Sequence, residues 1–130
     1  MDYVAIVTAL ALIQFLLLGI LVGRARKRYG VAAPATTGHE MFDRWFRVHM
    51  NTAEQLLLFV PSMWIYAYYW NPVWAAGIGS LFLIGRTVYA ITYIRDPKSR
   101  SLGFLLTFIP IFVFLVGTLV GAIRSLIAGG

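Results

Sequence analysis

Tyr3 to Val22 is an almost unbroken apolar run in which Gln14 is the only strongly polar side chain. About 20 residues at 1.5 Å rise cover the roughly 30 Å hydrocarbon core of a bilayer. Three further stretches, near 42–70, 73–94 and 102–123, have comparable length and are separated by short polar breaks. The expected fold class is therefore all-α, an integral membrane four-helix bundle occupying residues 1–130 as one domain. Composition agrees, with 60% hydrophobic and 12% charged residues, against about 45–50% and 25% in soluble domains. The net charge of +6 does not point to nucleic acid, because the basic residues sit beside the apolar spans, where topology places them. Asp2 replaces a basic leader region and the first run is long, so it reads as a retained span.

The breaks carry their own signals. Val31 to Glu40 is a loop broken by Pro34 and Gly38, with Thr36 or Thr37 available for local capping and His39 expected to be solvated. Pro61 is expected to kink the second helix. Asn71-Pro72 makes a very short turn, hence an antiparallel hairpin of helices two and three, and Trp64, Tyr66, Tyr68, Tyr69, Trp70 and Trp74 around it read as an interfacial belt. Gly19 with Gly23, and Gly117 with Gly121, have the spacing that lets helices approach closely. Arg24, Arg26, Lys27 and Arg28 in one loop and Arg95, Lys98 and Arg100 in another fall on the same side. The positive-inside bias puts both in the cytoplasm, the termini outside and any site between them toward the cytoplasm.

Arg44, Arg47, Asn51 and Glu54 step by 3, 4 and 3, so they share one helix face. Arg86, Tyr89 and Tyr93 do the same on helix three. Charge inside a membrane helix is costly and usually marks a site. Either Glu54 pairs with Arg47 or Arg86 inside the bundle, or the cationic excess faces a pocket for a small anion that also offers an ammonium to Glu54. An amino acid or small peptide has that chemistry. Tyr93 reads equally as an interfacial anchor, and the basic residues near Arg26 as topology charges or carboxylate contacts. There is no cysteine, so a thiol has to come with a substrate. His39 and His49 are isolated and acids are few, so no metal site is expected.

The PATTG loop at Pro34–Gly38, R-x-H-x-N-x-x-E from Arg47 to Glu54, R-x-x-Y-x-x-x-Y from Arg86 to Tyr93, and Arg100 at the end of the third loop together resemble the MAPEG family, membrane-associated proteins in eicosanoid and glutathione metabolism. The resemblance implies a homotrimer with glutathione as co-substrate, bound between subunits near the cytoplasmic face. It implies that Arg47, Asn51, Glu54, Tyr89 and Tyr93 hold the peptide, that Arg26 and Arg86 assist, and that Arg100 is the catalytic residue stabilising the thiolate. Lys27, His49 and Gln55 differ from the leukotriene C4 synthase branch, so the expectation is a bacterial-type glutathione transferase or peroxidase. It would act on lipophilic electrophiles or hydroperoxides reaching it from lipid, in a bacterial inner membrane. The other class implied by the resemblance is a non-catalytic membrane lipid-binding or scaffold protein.

Overall fold

The computed structural model describes all 130 residues. Its order is α1 (Asp2–Tyr29), α2 (Glu40–Tyr69), α3 (Pro72–Arg95), a single 3₁₀ turn (Pro97–Ser99) and α4 (Ser101–Ile127), with no strand. α2 and α3 each pack against every other helix, with α1 and α4 as their flanks, and α3 packs most extensively on α4.

The helix ends follow local chemistry. α1 runs past Val22 because its basic residues are good helix formers and suit the negative end of the dipole. It stops at Gly30, whose left-handed φ of 70° closes the turn with a bond to the Arg26 carbonyl. Asn71 caps α3 by accepting from the Val73 and Trp74 amides, and Pro72 sits in the first turn, where its missing N–H costs nothing. Pro61 lies inside a continuous α2. His39 is not merely solvated. It caps α2 by accepting from the Met41 amide, and its ring stacks on Tyr29 at 4.3 Å.

The four helices expected are all present. α1, α3 and the segment Pro97–Ile127 are long and apolar enough to cross a membrane. α2 is 30 residues long, but its first half carries Glu40, Asp43, Arg44, Arg47 and Glu54. Only 29 of the 130 residues are buried, and the exposed Leu, Ile and Phe of α1 and α4 face outward, as a lipid solvent allows.

The main apolar core lies toward the Asn71 end, where Phe59 stacks on Phe82 at 3.8 Å beside Phe114 and Met63. Glycines set two approaches the helices need. A Cβ at Gly103 would meet the Tyr89 backbone, and one at Gly117 or Gly121 would meet Tyr66 or Tyr69. The two spacing motifs thus differ: Gly117 and Gly121 both receive α2 aromatics, whereas Gly19 admits His49 and Gly23 touches nothing within 4 Å.

Candidate functional site

At the opposite end from that core, α2 and α3 carry a polar band. Arg86 is fully buried on α3. Its Nε donates to Thr107 Oγ1 at 3.0 Å and its Nη1 to Asn51 Oδ1 at 2.7 Å and Thr52 Oγ1 at 3.3 Å, so one guanidinium ties α2, α3 and α4 together. Its plane lies over the Tyr89 ring at 4.3 Å. No acid pairs with it, and Nη2 has no partner at all. The sequence reading placed Arg86 on the pocket wall. The structure buries it, because Gly85 and Gly103 bring α4 down over this part of α3, and leaves it bordering a groove of about 290 Å³ between α1 and α3.

Tyr89 continues the band and stacks on Tyr93 at 5.5 Å. Arg47 and Tyr93 wall an open cleft of about 590 Å³, together with the start of α2 and Pro97. On the outward face of α2, Arg47 Nη1 meets Glu54 Oε1 at 3.2 Å, seven residues apart, with the two side chains 52% and 57% exposed. Arg100 is exposed at the first turn of α4.

Two arginines take structural duties that spacing does not reveal. Arg44 shares the helix face of Arg47, yet its Nη1 donates to the Ile94 and Arg95 carbonyls at 2.9 and 3.2 Å, capping the end of α3, while Nη2 pairs with Glu40 at 2.6 Å. Arg26 donates to the Ala35 carbonyl and lies over the Phe42 ring at 4.8 Å, on the α1 side of the loop. It does not border the cleft of Arg47 and Tyr93. The loop is also fastened from α2, where Asp43 accepts from the Thr37 hydroxyl and the Gly38 amide. His49 stacks on Phe15 at 4.4 Å in the α1–α2 contact and stands apart from the cleft.

The sequence that builds this site matches a family model over most of its length. The model of the MAPEG family covers residues 4–120. The chain belongs to the MAPEG family. It is 44% identical over 122 residues to an uncharacterized protein of Synechocystis sp., covering 94% of this chain and 89% of that one. It is 34% identical over 119 residues to microsomal glutathione S-transferase 2 of Homo sapiens, covering 92% and 79%. It is 32% identical over 102 residues to leukotriene C4 synthase of Cavia porcellus, covering 76% and 68%. Membership in MAPEG agrees with the helical bundle and its three membrane-length helices.

The sequence patterns singled out Arg47, Asn51, Glu54, Tyr89 and Tyr93 but not Thr52 and Thr107, which complete the Arg86 network. Their signal is faint, since a threonine in an apolar helix usually bonds its own backbone, and both do so here. No cluster of His, Asp or Glu suited to a metal ion is present.

Proposed function

We propose that this protein is a membrane-bound glutathione transferase, with peroxidase activity toward lipophilic hydroperoxides as a second outcome of the same thiolate. Glutathione brings two carboxylates, one ammonium and a thiol. Its charges fit the side chains present: guanidinium groups at Arg47 and Arg26 for carboxylates, Glu54 for the ammonium, and tyrosine hydroxyls at Tyr89 and Tyr93 as donors. The observation that carries the reading is the half-exposed Arg47–Glu54 pair beside the Tyr89–Tyr93 stack. Such a pair on the outside of a membrane helix presents both signs of charge to an incoming zwitterion.

Arg26 lies away from that face in its own subunit. A homotrimer with the ligand between neighbouring subunits brings the Arg26 of one copy toward the Arg47 of the next, and it also shelters the Arg47–Glu54 pair from lipid. Asn51 and Arg86 act from behind by holding α2, α3 and α4 in register, which positions Tyr89.

The reaction uses the thiolate. A free thiol has a pKa near 8.5, and a neighbouring guanidinium lowers it by roughly 1–3 units. Arg100 supplies that charge and cannot take the proton itself. In conjugation the sulfur lone pair attacks an electrophilic carbon and the leaving group departs with the bonding pair. In peroxide reduction the thiolate attacks the distal peroxide oxygen and the alkoxide leaves. A second glutathione then forms the disulfide and releases water. The two basic ends share one face of the bundle, since Arg44 of α2 reaches the last carbonyls of α3. By the positive-inside bias that face is cytoplasmic in a bacterial inner membrane, with both termini outside.

The test is conjugation of glutathione to a chlorodinitrobenzene-type electrophile by the purified protein in detergent or nanodiscs, alongside native mass measurement. Thiol-dependent turnover by a trimer is expected. Tight glutathione binding without turnover toward electrophiles or hydroperoxides would replace the enzyme with a lipid-binding member of the same family.

A further inference from the structure

The basic residues that end α1 do not share one role. Ala25 is buried against α2, in the cluster of Val22, Val31 and Phe42. Successive helix positions turn by about 100°, so Arg24 and Arg26 flank Ala25 on opposite sides. Arg28 lies one turn beyond Arg24, on the same side. Arg26 is committed to the loop, where it donates to the Ala35 carbonyl and covers Phe42. Arg24 and Arg28 are both exposed, and neither has an acidic partner, since the two ion pairs of the chain lie on α2.

These two arginines share a hollow of about 270 Å³ at the α1–α2 contact, with Tyr29 and Trp45 among its other walls. The Arg28 guanidinium lies over the Tyr29 ring at 5.6 Å. No acidic side chain lines the hollow. The apolar run of α1 ends at Val22. Arg24 and Arg28 follow it by about 3 and 9 Å, at 1.5 Å per residue, which is the depth of the polar headgroups. Indole and phenol rings favour the same layer.

We propose that this hollow is a headgroup site for an anionic phospholipid of the surrounding leaflet, such as phosphatidylglycerol. Its phosphodiester accepts from both guanidinium groups, which stand one helical turn apart. The rings of Tyr29 and Trp45 flank the headgroup. A zwitterionic headgroup brings an ammonium or choline as well, and two cations without an acid give that group no partner. Selectivity therefore follows net negative charge. The acyl chains stay in the bilayer. The site lies across α1 from Arg26 and does not depend on the glutathione reading.

The test is native mass spectrometry of the intact protein, released from micelles that contain equal amounts of phosphatidylglycerol and phosphatidylcholine with identical acyl chains. Two arginines beside one anionic headgroup should give wild type a roughly tenfold preference for phosphatidylglycerol. Arg24→Gln with Arg28→Gln should retain the two lipids equally. Arg95→Gln with Lys98→Gln removes as much charge from the other basic loop and should keep the preference. Phosphatidylglycerol should also raise the unfolding temperature of wild type more than phosphatidylcholine does, and the Arg24/Arg28 variant should lose that difference. Glycerol 3-phosphate at the same concentration should displace none of the lipid. Equal retention by wild type, a preference surviving the Arg24/Arg28 substitutions, or an equal loss in the Arg95/Lys98 variant would each overturn the proposal. Displacement by glycerol 3-phosphate would overturn the lipid assignment. The wild-type comparison decides even where a variant does not fold.

Discussion

Gly103→Ala and Gly77→Ala add the same methyl group to two helix interiors and should act with opposite sign. At Gly103 the new Cβ would sit 2.5 Å from the Tyr89 amide nitrogen and 2.7 Å from Tyr89 Cβ. Ordinary carbon contacts lie near 3.5–4.0 Å, so α4 has to retreat from α3 by about 1 Å. The neighbour is helix backbone and cannot swing aside. Overpacking of this kind costs about 1–3 kcal/mol, and the upper end is expected here. At roughly 4 °C per kcal/mol, unfolding in detergent should fall by about 4–12 °C. Gly77 is exposed within α3 and its Cβ meets nothing within 4 Å, so alanine there should raise stability by about 0.5–1 kcal/mol through backbone entropy. Gly103 also lies three residues after Arg100. The shift should therefore displace that guanidinium and raise the pKa of the bound thiol in molecules that remain folded. The assay pairs thermal unfolding with thiolate absorbance. A Gly103→Ala protein as stable as wild type, or a Gly77→Ala protein that falls with it, would refute the packing argument.

Glu54→Gln and Arg47→Ala should each weaken glutathione binding at least about tenfold, as losing one partner of a charged hydrogen bond costs roughly 2–5 kcal/mol. Both side chains are half-exposed, so stability should change by less than about 1 kcal/mol, and calorimetric titration with thermal unfolding separates the two effects. Arg100→Ala should leave binding nearly intact, lower turnover at neutral pH and recover part of it in alkali. Thiolate absorbance near ~240 nm against pH checks this, and superimposable curves with equal turnover would remove Arg100 from the mechanism. Arg44→Ala should destabilise the protein by about 1–3 kcal/mol without a direct effect on the ligand, because it uncovers the Ile94 and Arg95 carbonyls. Arg44 borders the cleft of Arg47 and Tyr93, and a large loss of glutathione affinity in a stable Arg44→Ala protein would make it a ligand contact as well as a cap.

Much of this molecule is legible from the order of its residues. Four helices follow from runs of bilayer length, and the hairpin of α2 and α3 from Asn71-Pro72, because hydrophobicity and turn chemistry act locally. The shared face of Arg47 and Glu54 follows from helical period alone, and the pair does form. Period says which side chains share a face, but not what is packed against it. Arg44 and Arg47 look alike in the sequence, and only the arrival of the α3 terminus makes one a cap and leaves the other open. Arg86 looks open to a pocket, and only the approach of α4 at Gly103, seventeen positions away, buries it at the edge of a groove. Gln14 reads as a stray polar residue in a span, and only the tertiary structure pairs its amide with Thr87 of another helix. Each of these depends on the distance between separate helices, which local sequence does not encode and which packing of the whole bundle decides.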